Sequence, residues 1–305
     1  MAQVFEKAYW KGKIVPINEA CVSVASAAVL YGLSIYTVFP ITVTKNGLRA
    51  FRIHDHYERL IRSARIVGLD TFEPQWSFEK FQQSVRELVK VNTFDKDVFV
   101  RASVHVSDLV PGTRSRGLTT DLSMFIYEAL PIVPQNGARI KTSLWRRTPD
   151  ECIPSRAKVN GAYINSVLAK QDAIDCGYDD CVFLDSAGHV CELSAANIFM
   201  VRDGALITPG SSNSILEGIN RRTILEITEK LGIKTVERNI DLTELYIADE
   251  LFACGTSAFV APIIEVDKRV VGNGVASGIT KILREKHFNV LHGEESGFEY
   301  LLTEI

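Results

Sequence analysis

Short turn signals connect many of the extended segments in this chain, and they restrict the fold more than any other feature. Lys11-Gly12 and Asn46-Gly47 each separate two extended segments in the N-terminal half. Ser186-Ala187-Gly188 and Asp203-Gly204 do the same in the C-terminal half. Such turns favour hairpins, and a hairpin joins antiparallel neighbours. The chain is therefore predicted to form largely antiparallel or mixed sheets, not the parallel sheet of a dinucleotide-binding fold.

Composition and motifs exclude several classes of partner. The 305 residues are 46% hydrophobic and 23% charged, which suits one large or two medium globular domains. The formal net charge of −3 gives no electrostatic reason to expect binding to nucleic acid or to an anionic membrane. Neither GxGxxG nor GxxxxGK[ST] occurs between a predicted strand and helix, which disfavours a nucleotide-binding α/β fold.

The segment from Ala20 to Thr44 contains no charged residue and is long enough to span a bilayer. However, Gly32 and Pro40 interrupt it, and the part after Gly32 is rich in β-branched and aromatic residues. A short helix followed by a buried strand is therefore predicted, and no membrane association is expected.

The order of predicted elements indicates an α/β (α+β) chain with two lobes. We predict a small N-terminal α/β domain over 1–128, a linker over 129–136 and a larger domain over 137–305 with a mixed, mostly antiparallel sheet. Asp55 and Ser77 are plausible N-caps for the first two long helices. Further helices are predicted after Gly161, Gly218 and Gly278.

The six cysteines form no CxxC pair, and the first ten residues are polar and mixed. We therefore expect no signal peptide, and reduced thiols in a cytoplasmic protein. His54 and His56 form an HxH pair of a kind that can bind metal on a strand, but no third ligand is evident. No metal site is predicted.

Lys158 lies at the junction between a loop and a predicted helix, and this position is unusual for a lysine. A lone lysine is usually solvated. The alternative is an amine that is desolvated, has a lowered pKa and attacks a carbonyl carbon. The helix that follows has an apolar stripe, which is expected to pack: Tyr163, Ile164, Val167, Leu168 and Ile174.

Two further features would complement such an amine. Glu192 follows a run of strand residues and precedes a turn of small residues, "LSAAN". If it is buried, its carboxylate needs a cationic partner, and a protonated ring nitrogen would supply one. Gly218 opens a helix whose first N–H groups suit a phosphate. Taken alone, each residue has an ordinary structural interpretation.

Several segments together carry a specific resemblance over nearly the whole chain. They are "HDHYERLIRSA", "RAKVNGAYINSVLAKQDA", "GYDDCVFLDSAGHVCELSAANIFMV", "ILEGINRRTI", "YIADELFACGTSAFVAPI" and "GITKIL". In this order and spacing they resemble the class IV aminotransferases, the fold-type IV pyridoxal phosphate enzymes, and most closely the branched-chain amino acid aminotransferases. The resemblance implies a two-domain fold, pyridoxal 5′-phosphate as cofactor, amino acid and keto acid substrates, and a homodimer or higher homo-oligomer.

The resemblance also implies roles for individual residues. Lys158 would carry the cofactor and move the substrate proton, Tyr163 would bond the phenolic oxygen of the ring, and Glu192 would bond its nitrogen. The other residues implied to hold the cofactor are Arg59, Asn197, Leu216, Gly218, Ile219, Asn220 and Thr256. The residues implied to contact the substrate are Tyr31, Tyr36, Phe99, Arg101, Ala195 and Ser257, with Tyr31 and the 108–116 loop crossing a dimer interface.

Departures from the family pattern bear on the substrate. Val38, Leu193 and Ala195 are bulkier than the glycines common there, and Asn220 replaces a threonine. Arg101 either meets the side-chain carboxylate of a dicarboxylate donor or is a paired structural arginine. A transaminase for branched-chain or related aliphatic L-amino acids with 2-oxoglutarate is the main hypothesis. The alternatives are a same-fold transaminase for D-amino acids, (R)-amines or an amino acid of a specialised pathway, an aminodeoxychorismate-type lyase, and a non-catalytic relative.

Overall fold

The computed structural model describes residues 2–305, which form two compact units. The first unit comprises residues 2–130, 157–162 and 291–305, and the second comprises residues 131–156 and 163–290. The short segment that carries Lys158 therefore belongs to the first unit, although the chain on either side of it belongs to the second. The domain limits given above stay a prediction.

The first unit contains a seven-stranded antiparallel sheet, flanked by helices. The strands are β1 (Val4–Trp10), β2 (Lys13–Pro16), β3 (Ser34–Thr44), β4 (Gly47–Phe51), β5 (Val98–Val106), β6 (Thr120–Glu128) and β16 (Leu302–Glu304), in the order β16-β4-β3-β5-β6-β1-β2. The helices are α1 (Ala27–Leu30), α2 (Ile53–Val67) and α3 (Phe78–Lys90). The apolar faces of α2 and α3 pack with the central strands in one core, as helical periodicity requires.

The predicted hairpins of this unit are confirmed. Strands β1 and β2 pair antiparallel on either side of Lys11-Gly12, and β3 and β4 pair on either side of Lys45-Asn46. Gly47 has φ of +93°, a left-handed conformation that glycine adopts without strain. The turn residues therefore set the pairing of these strands.

The uncharged segment from Ala20 to Thr44 also folds as predicted. It contains the short helix α1 and then β3, of which the residues from 34 to 42 are buried in the sheet. In the part of the chain that the structure describes, no helix is long and apolar enough to cross a membrane.

The starts of α2 and α3 test the two capping predictions. Ser77 is confirmed, because its side chain accepts a hydrogen bond from the Lys80 backbone at 3.3 Å. Asp55 is not an N-cap: α2 begins at Ile53, and the Asp55 carboxylate accepts from Arg52 Nε at 2.5 Å. The HxH pair therefore lies on a helix and not on a strand.

The second unit contains a nine-stranded mixed sheet. Its strands are β7 (Ala138–Thr142), β8 (Asp180–Leu184), β9 (Val190–Leu193), β10 (Asn197–Arg202), β11 (Ala205–Thr208), β12 (Thr235–Glu237), β13 (Glu250–Gly255), β14 (Phe259–Val266) and β15 (Arg269–Val270). Six pairings are antiparallel and three are parallel. Pairing of β9 with β10 closes six strands into a ring. The helices are α4 (Tyr163–Asp175), α5 (Ile219–Lys230) and α6 (Gly278–His292).

Helix α4 does not pack as its periodicity predicted. The side chains that it buries are small: Ser166, Ala169 and Ala173. Ile164 and Val167 of the predicted packing stripe are 62% and 59% exposed, and Leu168 and Ile174 are exposed as well. Small residues let the helix lie close to β8, so the larger residues point away from the unit that contains it.

Candidate active site

Backbone hydrogen bonds to β3 fix the segment that carries Lys158. Tyr36 N donates to Lys158 O at 3.0 Å, and Asn160 N donates to Ser34 O at 2.8 Å. Lys158 N donates in turn to Ser63 Oγ of α2 at 3.1 Å. Both the N–H and the carbonyl of Lys158 are therefore hydrogen-bonded, which fixes the backbone from which its side chain extends.

The Lys158 amine borders the Tyr36 ring. Lys158 is half-buried, and its Nζ lies 4.8 Å from the Tyr36 ring centroid. The side chain is thus not a freely solvated surface lysine. An aromatic face stabilises a nearby cation, and both groups are held by the same pair of backbone hydrogen bonds.

Arg101 contacts the same tyrosine. Its guanidinium carbon lies 3.6 Å from the Tyr36 ring centroid, and its Nη2 donates to Asn160 Oδ1 at 2.5 Å. Phe99 lies two residues earlier on β5, so it projects from the same face of the sheet. Phe99 is fully buried, and its ring packs on Tyr127 at 5.6 Å between centroids.

The remaining residues predicted in this unit lie on or directly after its helices. Arg59, on α2, donates from Nη2 to Thr37 Oγ1 at 3.2 Å, and Thr37 also bonds the buried His56 ring at 2.8 Å. Arg59 is half-buried. Tyr31 directly follows α1 and is exposed.

Glu192 lies in the second unit and is buried, and its carboxylate has a cationic partner in the same unit. Its Oε1 lies 2.8 Å from Arg147 Nη2. Its Oε2 accepts from Asn197 Nδ2 at 3.1 Å and from Leu216 N at 3.2 Å. The chain therefore supplies a cationic partner of its own, so the burial of Glu192 does not by itself require a ring nitrogen.

The Gly218 backbone lies close to the Asn197 side chain beside this carboxylate. A Cβ added to Gly218 would lie 2.0 Å from Asn197 Oδ1. Asn197 cannot easily move, because its Nδ2 donates both to Glu192 and to Leu216 O at 2.9 Å. Glycine is therefore required at position 218 for steric reasons, and Gly218 is the N-cap of α5.

The start of α5 has the features of an anion site. No side chain caps it, so the N–H groups of Ile219 and Asn220 remain without a side-chain partner from the N-cap. Asn220 Nδ2 donates to Thr256 Oγ1 at 3.2 Å, and its Oδ1 lies 2.9 Å from the ring nitrogen of buried His287. Since Thr256 Oγ1 accepts from Asn220, its own hydrogen can be donated to a phosphate oxygen.

The other predicted residues of this unit lie at the ends of helices and strands or in turns. Tyr163 is the first residue of α4 and is half-buried, and Ser257 is half-buried with its carbonyl accepting from Ile132 N at 2.9 Å. Ala195 is exposed in the turn after β9. Leu193 is 1% exposed and packs in the core of the unit, where it faces away from Glu192 on the same strand.

Features within each unit suit a part of pyridoxal phosphate. In the second unit, the fixed Glu192 carboxylate suits a ring nitrogen, and the uncapped start of α5 suits a phosphate. In the first unit, Lys158 is a half-buried amine. Residues 35–266 match the family model described as amino-transferase class IV. The chain belongs to the class IV aminotransferase family.

Curated relatives and solved structures agree with this assignment. The chain is 36% identical to a probable branched-chain-amino-acid aminotransferase of Aquifex aeolicus, over 98% of this chain and 96% of the relative. A crystal structure of a Thermoproteus uzoniensis branched-chain aminotransferase with norvaline aligns with a TM-score of 0.92 and 34% identity, over 98% of this chain and 99% of that one. The T.th. branched-chain amino acid aminotransferase complexed with N-(5′-phosphopyridoxyl)-L-glutamate aligns with a TM-score of 0.89 and 30% identity, over 98% of each chain.

These findings confirm the predicted family, the fold class and the cofactor. Class IV aminotransferases use pyridoxal 5′-phosphate, so the chain is a pyridoxal phosphate-dependent aminotransferase. Sequence reasoning missed three residues that contact the side chains of predicted site residues within their own unit: Arg147, Asn160 and His287. No local pattern indicates these contacts, since each joins two side chains that are distant in sequence.

Proposed function

We propose that this aminotransferase moves an amino group between an aliphatic, branched-chain-like L-amino acid and 2-oxoglutarate. One observation carries the proposal: the Tyr36 ring borders both the Lys158 amine and the Arg101 guanidinium. A group that can transfer a proton and a group that can bind a carboxylate thus both contact the Tyr36 ring. Buried apolar neighbours on the same two strands, Val38 and Phe99, suit an aliphatic side chain.

The names of the relatives support the same assignment. The Aquifex aeolicus and Thermoproteus uzoniensis proteins are branched-chain aminotransferases, and one solved relative holds a phosphopyridoxyl derivative of L-glutamate. An enzyme that accepts both an aliphatic and an acidic side chain needs an apolar wall and a cation that the acidic substrate can reach. Phe99 and Arg101 provide both on one face of β5.

We assign the cofactor contacts as the resemblance implies. Glu192 would bind the pyridine nitrogen, Tyr163 would bond the phenolic oxygen, and Leu216 would pack on the ring. The phosphate would be held by Arg59, the N–H groups of Ile219 and Asn220, and the Thr256 hydroxyl. When bound, pyridoxal phosphate accepts the electron pair left behind when the substrate loses its α-proton.

The chain's own residues then orient the substrate and move the proton. Lys158 is the general base and acid at the substrate α-carbon, a role that contributes on the order of 10²–10⁴-fold. The N–H groups of Thr256 and Ser257 bind the α-carboxylate. Tyr36 excludes water beside the lysine amine and holds Arg101 on its face.

We also propose that the protein is a homodimer. Two sets of exposed apolar side chains support this, one on α4 and one in the first unit. In the first unit, Val24 and Val110 are 80% and 68% exposed, and their segments are tied together by the Ser26–Leu109 bridge. Contiguous exposed apolar surface of this kind is typical of an interface.

We infer a cytoplasmic location from the thiols. All six cysteines are free, and three of them are buried. Reduced thiols in these numbers are usual in a reducing compartment.

A donor screen with the purified holoenzyme and 2-oxoglutarate tests the substrate assignment. L-leucine, L-isoleucine, L-valine, D-alanine and an (R)-amine are offered separately, and glutamate is measured as the product. The proposal expects activity with the branched-chain L-amino acids. Activity with D-alanine or the amine alone would identify a same-fold transaminase for other donors. Pyruvate release from aminodeoxychorismate would identify a lyase.

A further inference from the structure

Arg101 is a half-buried cation without an acidic partner. No Asp or Glu within residues 2–305 lies at ion-pair distance from its guanidinium. Its contacts are instead the Tyr36 ring at 3.6 Å and one neutral amide oxygen, Asn160 Oδ1. A structural arginine in such a place ordinarily has an anion beside it. The guanidinium therefore keeps hydrogen-bond donors that an anion from outside the chain can use.

Asn160 is itself held on several atoms. Its Nδ2 donates to Ser34 Oγ at 2.9 Å, and its backbone N donates to Ser34 O at 2.8 Å. These contacts orient Oδ1 toward Arg101, which lies 59 residues earlier in the chain. Asn160 thus joins the lysine segment to the arginine on β5.

We propose that Asn160 is a positioning residue for substrate recognition: it orients Arg101 toward the side-chain carboxylate of a dicarboxylate substrate, and its neutrality keeps that arginine available. This inference rests on the proposed function and deepens it. It assigns the choice between acidic and aliphatic substrates to the Asn160–Arg101 contact.

The neutrality of the amide is the essential property. A guanidinium has five N–H donors, and Asn160 Oδ1 accepts from one terminal nitrogen. The remaining donors can bind a carboxylate in a bidentate manner. An aspartate at position 160 would have almost the same shape, but its charge would pair with Arg101 and compete with the substrate carboxylate.

The test compares Asn160→Asp and Asn160→Ala with the parent holoenzyme. Each half-reaction is followed by the absorbance of the bound cofactor, with L-glutamate and with L-leucine. Asn160→Asp is expected to raise the KM for glutamate by about tenfold or more, because it removes charge-assisted hydrogen bonds. The KM for leucine should change by a clearly smaller factor than the KM for glutamate. Asn160→Ala should have a smaller effect on glutamate than Asn160→Asp.

Asn46→Asp is the matched control, since it adds the same charge in an exposed hairpin turn of the same unit. If both Asn160 variants impair glutamate and leucine equally, or if Asn160→Ala is the more damaging variant for glutamate, Asn160 has only a structural role and the inference is overturned. Unchanged glutamate kinetics in Asn160→Asp would overturn it as well.

Binding of glutarate, measured by calorimetry, separates this inference from the proposed function. If the parent protein turns over neither substrate, the proposed function fails, yet glutarate binding still reports on Arg101. Loss of glutarate binding in Asn160→Asp, with binding retained in Asn46→Asp, supports the inference. Equal binding by all variants, or no binding by the parent, contradicts it.

Discussion

Arg147 forms an ion pair with the buried Glu192, with Arg147 Nη2 2.8 Å from Glu192 Oε1. The other carboxylate oxygen is held by Asn197 and the Leu216 backbone. Arg147 is anchored as well, because its Nε donates to Ser214 O at 3.2 Å. The carboxylate proposed to meet the cofactor nitrogen is therefore oriented by the chain before any cofactor binds.

Replacing Arg147 by methionine should destabilise the protein by about 3–5 kcal/mol, because it leaves a buried carboxylate without its cation. The measurement is the free energy of unfolding in denaturant. In the double variant Arg147→Met/Glu192→Gln, part of this loss should be recovered, since no unpaired charge remains. Fully additive effects of the two changes would show that the pair contributes no coupling.

Replacing Gly218 by alanine should weaken cofactor binding by at least about tenfold, because the new Cβ would collide with Asn197 Oδ1 at 2.0 Å. Equilibrium dialysis of pyridoxal 5′-phosphate against the apoenzyme measures the affinity for the cofactor. Gly210→Ala is the matched control, because there the nearest atom to an added Cβ lies 3.5 Å away. Equal cofactor affinity in the two variants would contradict the steric argument.

Stability should fall as the pH drops from about 6.5 to about 4, and His105 is one cause. Burial lowers the pKa of His105 to about 4, while Asp121 opposes this effect and Lys11 adds to it. The folded state therefore keeps the ring neutral, whereas the unfolded chain binds a proton below about pH 6.5. The loss amounts to up to about 3 kcal/mol over this range.

The variant His105→Phe should lose this part of the pH dependence, whatever its stability at neutral pH. Unfolding free energies between pH 7 and pH 4 provide the comparison. Identical slopes for parent and variant between pH 6.5 and pH 4 would refute the role of His105.

Glu244 contributes to the pH dependence of stability at lower pH, because hydrogen bonds from Arg238 hold its pKa at about 2. Its stabilisation is present above the ordinary glutamate pKa and is lost as the pH falls toward 2.

Replacing Val167 by glutamate should shift the protein from dimer to monomer, because a charge on the exposed apolar face of α4 is costly to bury in an interface. Light scattering coupled to size exclusion measures the mass. Val275→Glu is the control, since Val275 is exposed to a similar degree, 62% against 59%. A dimer that survives in both variants would exclude α4 from the interface.

The features that could be predicted from the sequence are those that local patterns encode. Asn46-Gly47 identified a hairpin, Ser77 a helix cap, and the family motifs the cofactor. Periodicity showed which face of α4 is apolar, but it carries no information about what covers that face. The Asn160–Arg101 contact joins a loop residue to a strand residue 59 positions earlier, so it follows only from the pairing of β3 with both segments.

The central claim is that Lys158 binds the cofactor covalently, and the most direct measurement is borohydride reduction of the holoenzyme followed by peptide mapping. The account predicts a pyridoxyl label on the peptide that contains Lys158, and no label at that peptide in Lys158→Ala. A label on another lysine of the parent protein, or full turnover by Lys158→Ala, would contradict it.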